Sequence, residues 1–157
     1  MGETALHPDL QPLEWLVDAW TGGGRGLWAG GGRFEFSDEI AFEHDGRRFL
    51  EYRQRTVGPD GSPSHGELGY LTPDGAGGFN WTIAGPIGIT EVLVGHLDAC
   101  AVDFESVAIG RTAATDNVTS VRRRLSALDG GGLRVEVAIG VNSEPTAPHT
   151  ESVLRRA

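Results

Sequence analysis

The 157-residue sequence contains no lysine; all 13 of its basic residues are arginine. Neither a lysine Schiff base nor a lysine general base can form. Against these stand 22 acidic residues, for a net charge of −9. The average surface therefore repels phosphate and anionic headgroups, which argues against non-specific nucleic-acid or membrane binding. A local basic patch such as Arg122-Arg123-Arg124 is still compatible with that balance. A single cysteine, Cys100, excludes an intramolecular disulfide. Flanked by Ala99 and Ala101, with no base beside it, it reads as a small buried or half-buried thiol rather than a nucleophile. No apolar run approaches the roughly 18 residues of a membrane span. The N-terminus has neither the basic nor the apolar stretch of a signal peptide. The expectation is a cytoplasmic protein, with residues 1–157 forming one domain.

Glycine is abundant, with 24 residues, and it is placed as punctuation. Asp45-Gly46, Pro59-Asp60-Gly61, Pro73-Asp74-Gly75 and Asp129-Gly130-Gly131 are turn sequences. Between them the chain alternates. Phe34, Phe36, Ile40 and Phe42 share one face of residues 33–43, with Arg33, Glu35, Ser37, Glu39 and Glu43 on the other. Leu133, Val135, Val137, Ile139 and Val141 do the same in 133–141. A period of two marks half-buried strands. Further strands are expected at 18–27, 48–57, 64–72, 79–84, 88–96, 102–109, 117–127 and 149–156. The one helical stretch is Pro8–Val17, with Leu10, Leu13, Leu16 and Val17 on a stripe. About ten short strands joined by hairpins must close to remove their edges. The predicted fold is all-β: a single up-and-down antiparallel β-barrel of about ten strands, with the N-terminal helix capping one end. Such a barrel holds one small or medium ligand, and function then sits inside it or at the other end.

No histidine lies two or four residues from another histidine, and the single histidine–cysteine pair at such a spacing, His96 and Cys100, supplies too few ligands for a zinc site. His7, in the terminal tail, His44, before a turn, and His96, at a strand end, read as surface or structural residues. His65 opens a strand after Pro63 and is a candidate to face the interior. His149 follows Pro148 at the start of the last strand. Neutral imidazole is a good axial ligand for haem iron, and one suffices, so no partner spacing is required. Strict alternation puts His149 with Glu151 and Val153, opposite Thr150, Ser152 and Leu154, if no bulge intervenes. Neither set is apolar, so its direction stays open.

These segments, in this order, resemble the nitrobindin family of haem-binding β-barrels over nearly the whole chain. Asp18-Ala19-Trp20-Thr21-Gly22-Gly23-Gly24 is similar to the family's opening Gly-x-Trp-x-Gly-x-Gly, with Asp18 in place of the first glycine. Phe34-Glu35-Phe36, the stretch Glu39 to Gly46 with Phe42 and His44, and Phe49-Leu50 with Tyr52 and Gln54 match next. His65, Glu67 and Gly69-Tyr70-Leu71, then Gly88-Ile89-Thr90-Glu91, then Val118-Thr119 with Arg122-Arg123 follow. Pro148-His149 with Leu154-Arg155 falls where the family carries its proximal histidine.

The resemblance implies one ferric haem b per chain at the barrel mouth, with His149 as its ligand and the opposite face open. It implies binding of NO and isomerisation of peroxynitrite to nitrate, hence an enzyme, and it puts His65 on the distal side of the cavity. Three positions depart from the family. Trp28-Ala29-Gly30-Gly31-Gly32 replaces a Tyr-Pro-Thr-Ile-like segment, with Gly30 at the threonine. Asp116 replaces a lysine that would face a haem propionate, and Gly85 precedes Pro86 where a polar residue is usual. Trp28 either stacks on the porphyrin or packs the barrel. Two other readings remain: a lipocalin-like or fatty-acid-binding-like carrier of a small apolar ligand, and a haem enzyme specialised for a nitrogenous small molecule. A homodimer stays open.

Overall fold

The computed structural model describes residues 3–28, 30–113 and 115–157. Ten strands follow one another: β1 (Asp18–Leu27), β2 (Arg33–Glu43), β3 (Leu50–Val57), β4 (Pro63–Pro73), β5 (Gly78–Ala84), β6 (Ile89–Asp98), β7 (Ala101–Arg111), β8 (Val118–Ala127), β9 (Leu133–Val141) and β10 (Ala147–Arg156). Each pairs antiparallel with the next, and β10 returns to pair with β1, closing the barrel. The expected up-and-down architecture therefore forms, with strand ends within a few residues of those read from the alternation.

The cap is a 3₁₀ helix, Pro8–Leu16. Its three residues per turn bring Leu10, Leu13 and Leu16 onto one line, and all three are fully buried. Pro8 stands at its start, and His7 Nδ1 accepts the Asp9 N–H at 3.2 Å, relieving one unpaired donor. Pro12 lies inside the helix, where its missing N–H disfavours an α-helical ladder. Arg48, beside the β2–β3 turn, pairs with Asp9 at 2.7 Å. The helix thus seals the end of the barrel that carries the β2–β3, β4–β5, β6–β7 and β8–β9 turns. Above the leucines the core is aromatic: Phe42, Tyr52, Trp81 and Phe104, with ring centroids 4.8–6.1 Å apart.

The other end carries the β1–β2, β3–β4, β5–β6, β7–β8 and β9–β10 connections. Here the barrel loosens. The β7–β8 ladder runs only along Ala101–Glu105 and Arg122–Ser126. Beyond it the Val121 N–H is taken by Ser106 Oγ at 3.0 Å instead of a backbone carbonyl. Two expectations are corrected. Cys100 is exposed in the tight β6–β7 turn rather than buried, because the turn holds it outside the barrel wall. Arg122-Arg123-Arg124 is not a surface patch: alternation sends Arg122 and Arg124 outward and buries Arg123.

Candidate functional site

His149 owes its position to a bulge. Pro148 pairs with Ala138 and Thr150 with Val137, so His149 has no partner on β9. Without the extra residue His149 would follow Glu151 and Val153 to the outer surface, where Glu151 meets Arg25 and Arg134. With it, β10 resumes inward at Thr150, Ser152 and Leu154, and His149 is released to line the cavity. Bulges re-aim side chains in this way. The ring is held by its Nδ1, 2.9 Å from the Leu27 carbonyl oxygen on β1. A carbonyl only accepts, so Nδ1 carries the proton and Nε2 keeps a free lone pair.

The cavity enclosed at this end measures about 800 Å³, within the range of small-molecule sites. Phe34, Phe104, Arg123, Val137, His149 and Thr150 line it. Its aromatic wall depends on glycine. A Cβ at Gly26 would fall inside the Phe34 ring, and one at Gly24 inside the Phe36 ring. The two rings, with centroids 5.9 Å apart, therefore lie against bare β1 backbone. Gly26→Ala is expected to push Phe34 into the cavity and reduce uptake of a flat ligand about tenfold, the equivalent of about 1.4 kcal/mol and within the usual cost of overpacking. An optical titration beside wild type measures it.

Trp28 is 59 % exposed, so it does not pack the barrel. It leans on Phe34 at 4.6 Å, with His149 at 6.1 Å, as a free aromatic lip. Gly30 sits in the same loop at φ +104°, exposed and contributing only space. Asp116 is exposed on the β7–β8 connection at this end and is not among the lining residues. His65 stands at the rim, its side chain 39 % exposed, on the inward parity of β4; it does not line the cavity directly. Its Nε2 lies 3.0 Å from Glu67 Oε1.

Glu67 leads to a buried network that the sequence reading missed. Arg123 reaches from β8 across the barrel. Nη1 and Nη2 donate to Glu67 on β4 at 2.9 and 2.8 Å, and Nε and Nη2 to Glu91 on β6 at 3.2 and 2.5 Å. Tyr52 Oη donates to Glu67 at 2.8 Å. Asp38 accepts from Ser152 Oγ at 2.6 Å and from Gln54 Nε2 at 3.0 and 3.1 Å. Burial alone would raise the Glu67 carboxyl, but the Arg123 charge and the bonds from His65 and Arg123 outweigh it and hold it at about 2. Glu67 is thus ionised, and His65 Nε2–H is the donor to it. Burial raises the Asp38 carboxyl, and the Ser152 and Gln54 bonds only partly oppose this. A signal was available: Asp38, Glu91 and Arg123 each interrupt an inward apolar set, Phe36/Ile40, Ile89/Leu93 and Val121/Leu125.

A closed β-barrel with one imidazole aimed by a carbonyl at the lip of an aromatic cavity is the architecture of a prosthetic-group binder. The residues fit haem: a flat aromatic wall, a neutral imidazole whose other nitrogen is tied to a backbone carbonyl, as metal-ligating histidines usually are, and space for one group. The model of the "THAP4-like, heme-binding beta-barrel domain" matches residues 9–156, and the chain belongs to that family. Its cofactor is haem. The chain is 37 % identical over 157 residues to a protein of Nocardia farcinica named peroxynitrite isomerase, covering 97 % of this chain and 93 % of that one. It is 30 % identical over 152 residues to an Arabidopsis thaliana protein named peroxynitrite isomerase Rv2717c, covering 95 % and 89 %. The crystal structure of Rv2717c from M. tuberculosis superposes with a TM-score of 0.87 at 32 % identity, covering 98 % of this chain and 99 % of that one. The resemblance drawn from the sequence motifs is thereby borne out at the level of family, fold and cofactor.

Proposed function

We propose that this chain is a haem-dependent peroxynitrite isomerase that also binds NO, with His149 as the single protein ligand of the iron. The observation that carries the reading is the Nδ1 contact of His149 to the Leu27 carbonyl, which leaves Nε2 free at the cavity. When bound, ferric haem supplies a Lewis-acidic iron with one open position, suited to polarising an O–O bond. The chain does the rest. Leu27 fixes the tautomer and orientation of His149 and raises its basicity. Phe34 and Val137 line the cavity and hold a flat apolar group, with Phe36 stacked behind Phe34. Trp28 covers the outer lip. His65, oriented by Glu67, presents its remaining nitrogen at the distal rim, where it can hydrogen-bond a small ligand. Gly30 leaves the entrance open, and Asp116 is exposed on the β7–β8 connection at the same end of the barrel.

The names of the relatives and the family match over 9–156 support reading residues 1–157 as one functional unit. The outer faces of β4 to β6 carry Leu68, Tyr70, Val92 and Val94 exposed, with Asp98 at the end of β6 as their one acidic side chain and no arginine. On a chain of charge −9, that face is where a second copy can approach without repulsion, which favours a homodimer. The exposed Cys100 suits a reducing compartment such as the cytoplasm.

Stopped-flow mixing of the ferric protein with peroxynitrite tests the function. Decay is expected to accelerate in proportion to protein, with nitrate and not nitrite as the product. A haem-loaded protein that leaves the decay rate unchanged would reject the isomerase reading in favour of binding alone.

A further inference from the structure

Trp20 and Trp81 are buried, and Trp15 is half-buried on the capping helix at the sealed end. Trp28 is the exposed tryptophan, and it stands at the open end beside His149. It is coupled to that imidazole in two ways. The Leu27 carbonyl that holds His149 Nδ1 at 2.9 Å belongs to the peptide group joining Leu27 to Trp28. One hydrogen bond and one peptide unit therefore lead from the imidazole to the backbone of Trp28. Through space, the ring centroids of Trp28 and His149 are 6.1 Å apart. The indole is also held in place. Trp28 N–H donates to the Gly32 carbonyl at 2.7 Å, Gly31 N–H donates to the Trp28 carbonyl at 2.9 Å, and the Phe34 ring supports the indole at 4.6 Å. Gly32 leaves room for it, since a Cβ there would lie 3.2 Å from Trp28 Cδ1. Indole is among the side chains most readily oxidised by one electron. The two tyrosines stand elsewhere, Tyr52 in the core and Tyr70 on the outer face of β4.

We propose that Trp28 is a surface oxidation site: with haem bound, electrons pass from a bulky phenol in solution through the Trp28 indole to the haem, which gives the chain a peroxidase activity whose reductant stays outside the cavity. The proposal rests on the haem ligation by His149 read above and adds a second class of substrate to it. Haem supplies the one-electron chemistry. The oxidant is hydrogen peroxide. Its O–O bond breaks and both oxygens leave as water, with two electrons and two protons supplied by two phenols, each released as a phenoxyl radical. Each electron crosses Trp28. The indole gives up one electron toward the haem and its Nε1 proton to solvent, and it regains both from the phenol. A phenol too large for a cavity already holding a flat group still reaches the exposed ring.

The test begins with hydrogen peroxide added to the ferric, haem-loaded full chain without a reductant. Oxygen addition to each tryptophan is then mapped by mass spectrometry after cleavage at arginine, which leaves Trp28 as the one tryptophan of the peptide 26–33. Oxygen is expected on Trp28 and not on Trp15, and only when haem is bound. The second measurement follows oxidation of phenol red by peroxide, with rates taken per bound haem. Trp28→Phe is expected to lower this turnover about tenfold, and Trp28→Tyr, which restores an oxidisable ring, to retain most of it. Phenylalanine keeps an aromatic lip, so the contrast between the two variants reads electron transfer and not packing. Oxidation of Trp28 without haem, equal oxidation of Trp15, or wild-type turnover in Trp28→Phe overturns the proposal and leaves the haem reading standing. Failure of the wild type to give a haem band overturns both.

Discussion

Replacing His149 by alanine is expected to abolish the sharp, saturable Soret band and weaken haem binding by about a hundredfold or more. Loss of a group that merely orients a metal ligand typically costs ten- to a hundredfold, and here the ligand itself is removed. The change should leave the fold intact. His149 is half-buried, bulged out of the β9 ladder, and its one hydrogen bond is to a carbonyl at the barrel lip. Far-UV circular dichroism should therefore match wild type. Imidazole added to the variant should restore a six- or five-coordinate spectrum, since the aromatic wall that holds the flat group remains. A variant that binds haem as wild type does would return the protein to the apolar-carrier reading. A third reading, turnover of a nitrogenous substrate, is separated by an activity assay in which both His65→Ala and His149→Ala lose the reaction.

The largest stability effect is expected at Arg123. Arg123→Met leaves Glu67 and Glu91 buried without a counter-charge, and breaking a buried pair from one side costs about 3–5 kcal/mol. For a domain of this size that is a fall in Tm of roughly 10 °C. Trp81 adds to the loss, since the guanidinium lies 5.5 Å above its ring. Changing Glu67 and Glu91 to glutamine in the same chain should recover most of it, because the desolvated charges disappear together. That recovery distinguishes electrostatics from packing, which glutamine would not repair. Acid offers a second view of the same interaction. Glu67 is held at about 2 when folded, below its ordinary value. Its contribution is thus complete above the ordinary carboxylate range and is lost as pH falls toward 2. A chemical-denaturation series should show wild-type stability declining across that window and the Arg123→Met variant declining less.

Much of the barrel is written locally. Alternation in residues 33–43 and 133–141, turns at Asp-Gly pairs and the 3-residue spacing of Leu10, Leu13 and Leu16 are properties of short segments, and steric preferences act at that range. The need to remove sheet edges then implies closure. The location of the site is nearly legible too: with the helix plugging one end, hairpin connectivity alone sends the β1–β2, β3–β4, β5–β6, β7–β8 and β9–β10 connections to the other. What remained hidden depends on contacts between distant segments. Cys100 looked like a half-buried thiol among alanines, but its exposure follows from a two-residue turn at 99–100 that no apolar count reveals. Arg123 looked like one third of a basic run, and only its strand parity makes it the centre of the interior.

The sequence by itself determined strand order, the capping leucines, the haem-binding family and the identity of the one histidine at the head of the last strand, because these rest on short-range spacing and on ordered motifs. Only the tertiary structure decided that His149 faces the cavity, since a one-residue bulge reverses its side. The joining of β4, β6 and β8 through Arg123 likewise needs residues 32 and 56 positions apart to meet. Alternation can state that a residue points inward. Which partner waits there is settled by closure of the barrel, which brings opposite walls within hydrogen-bonding distance.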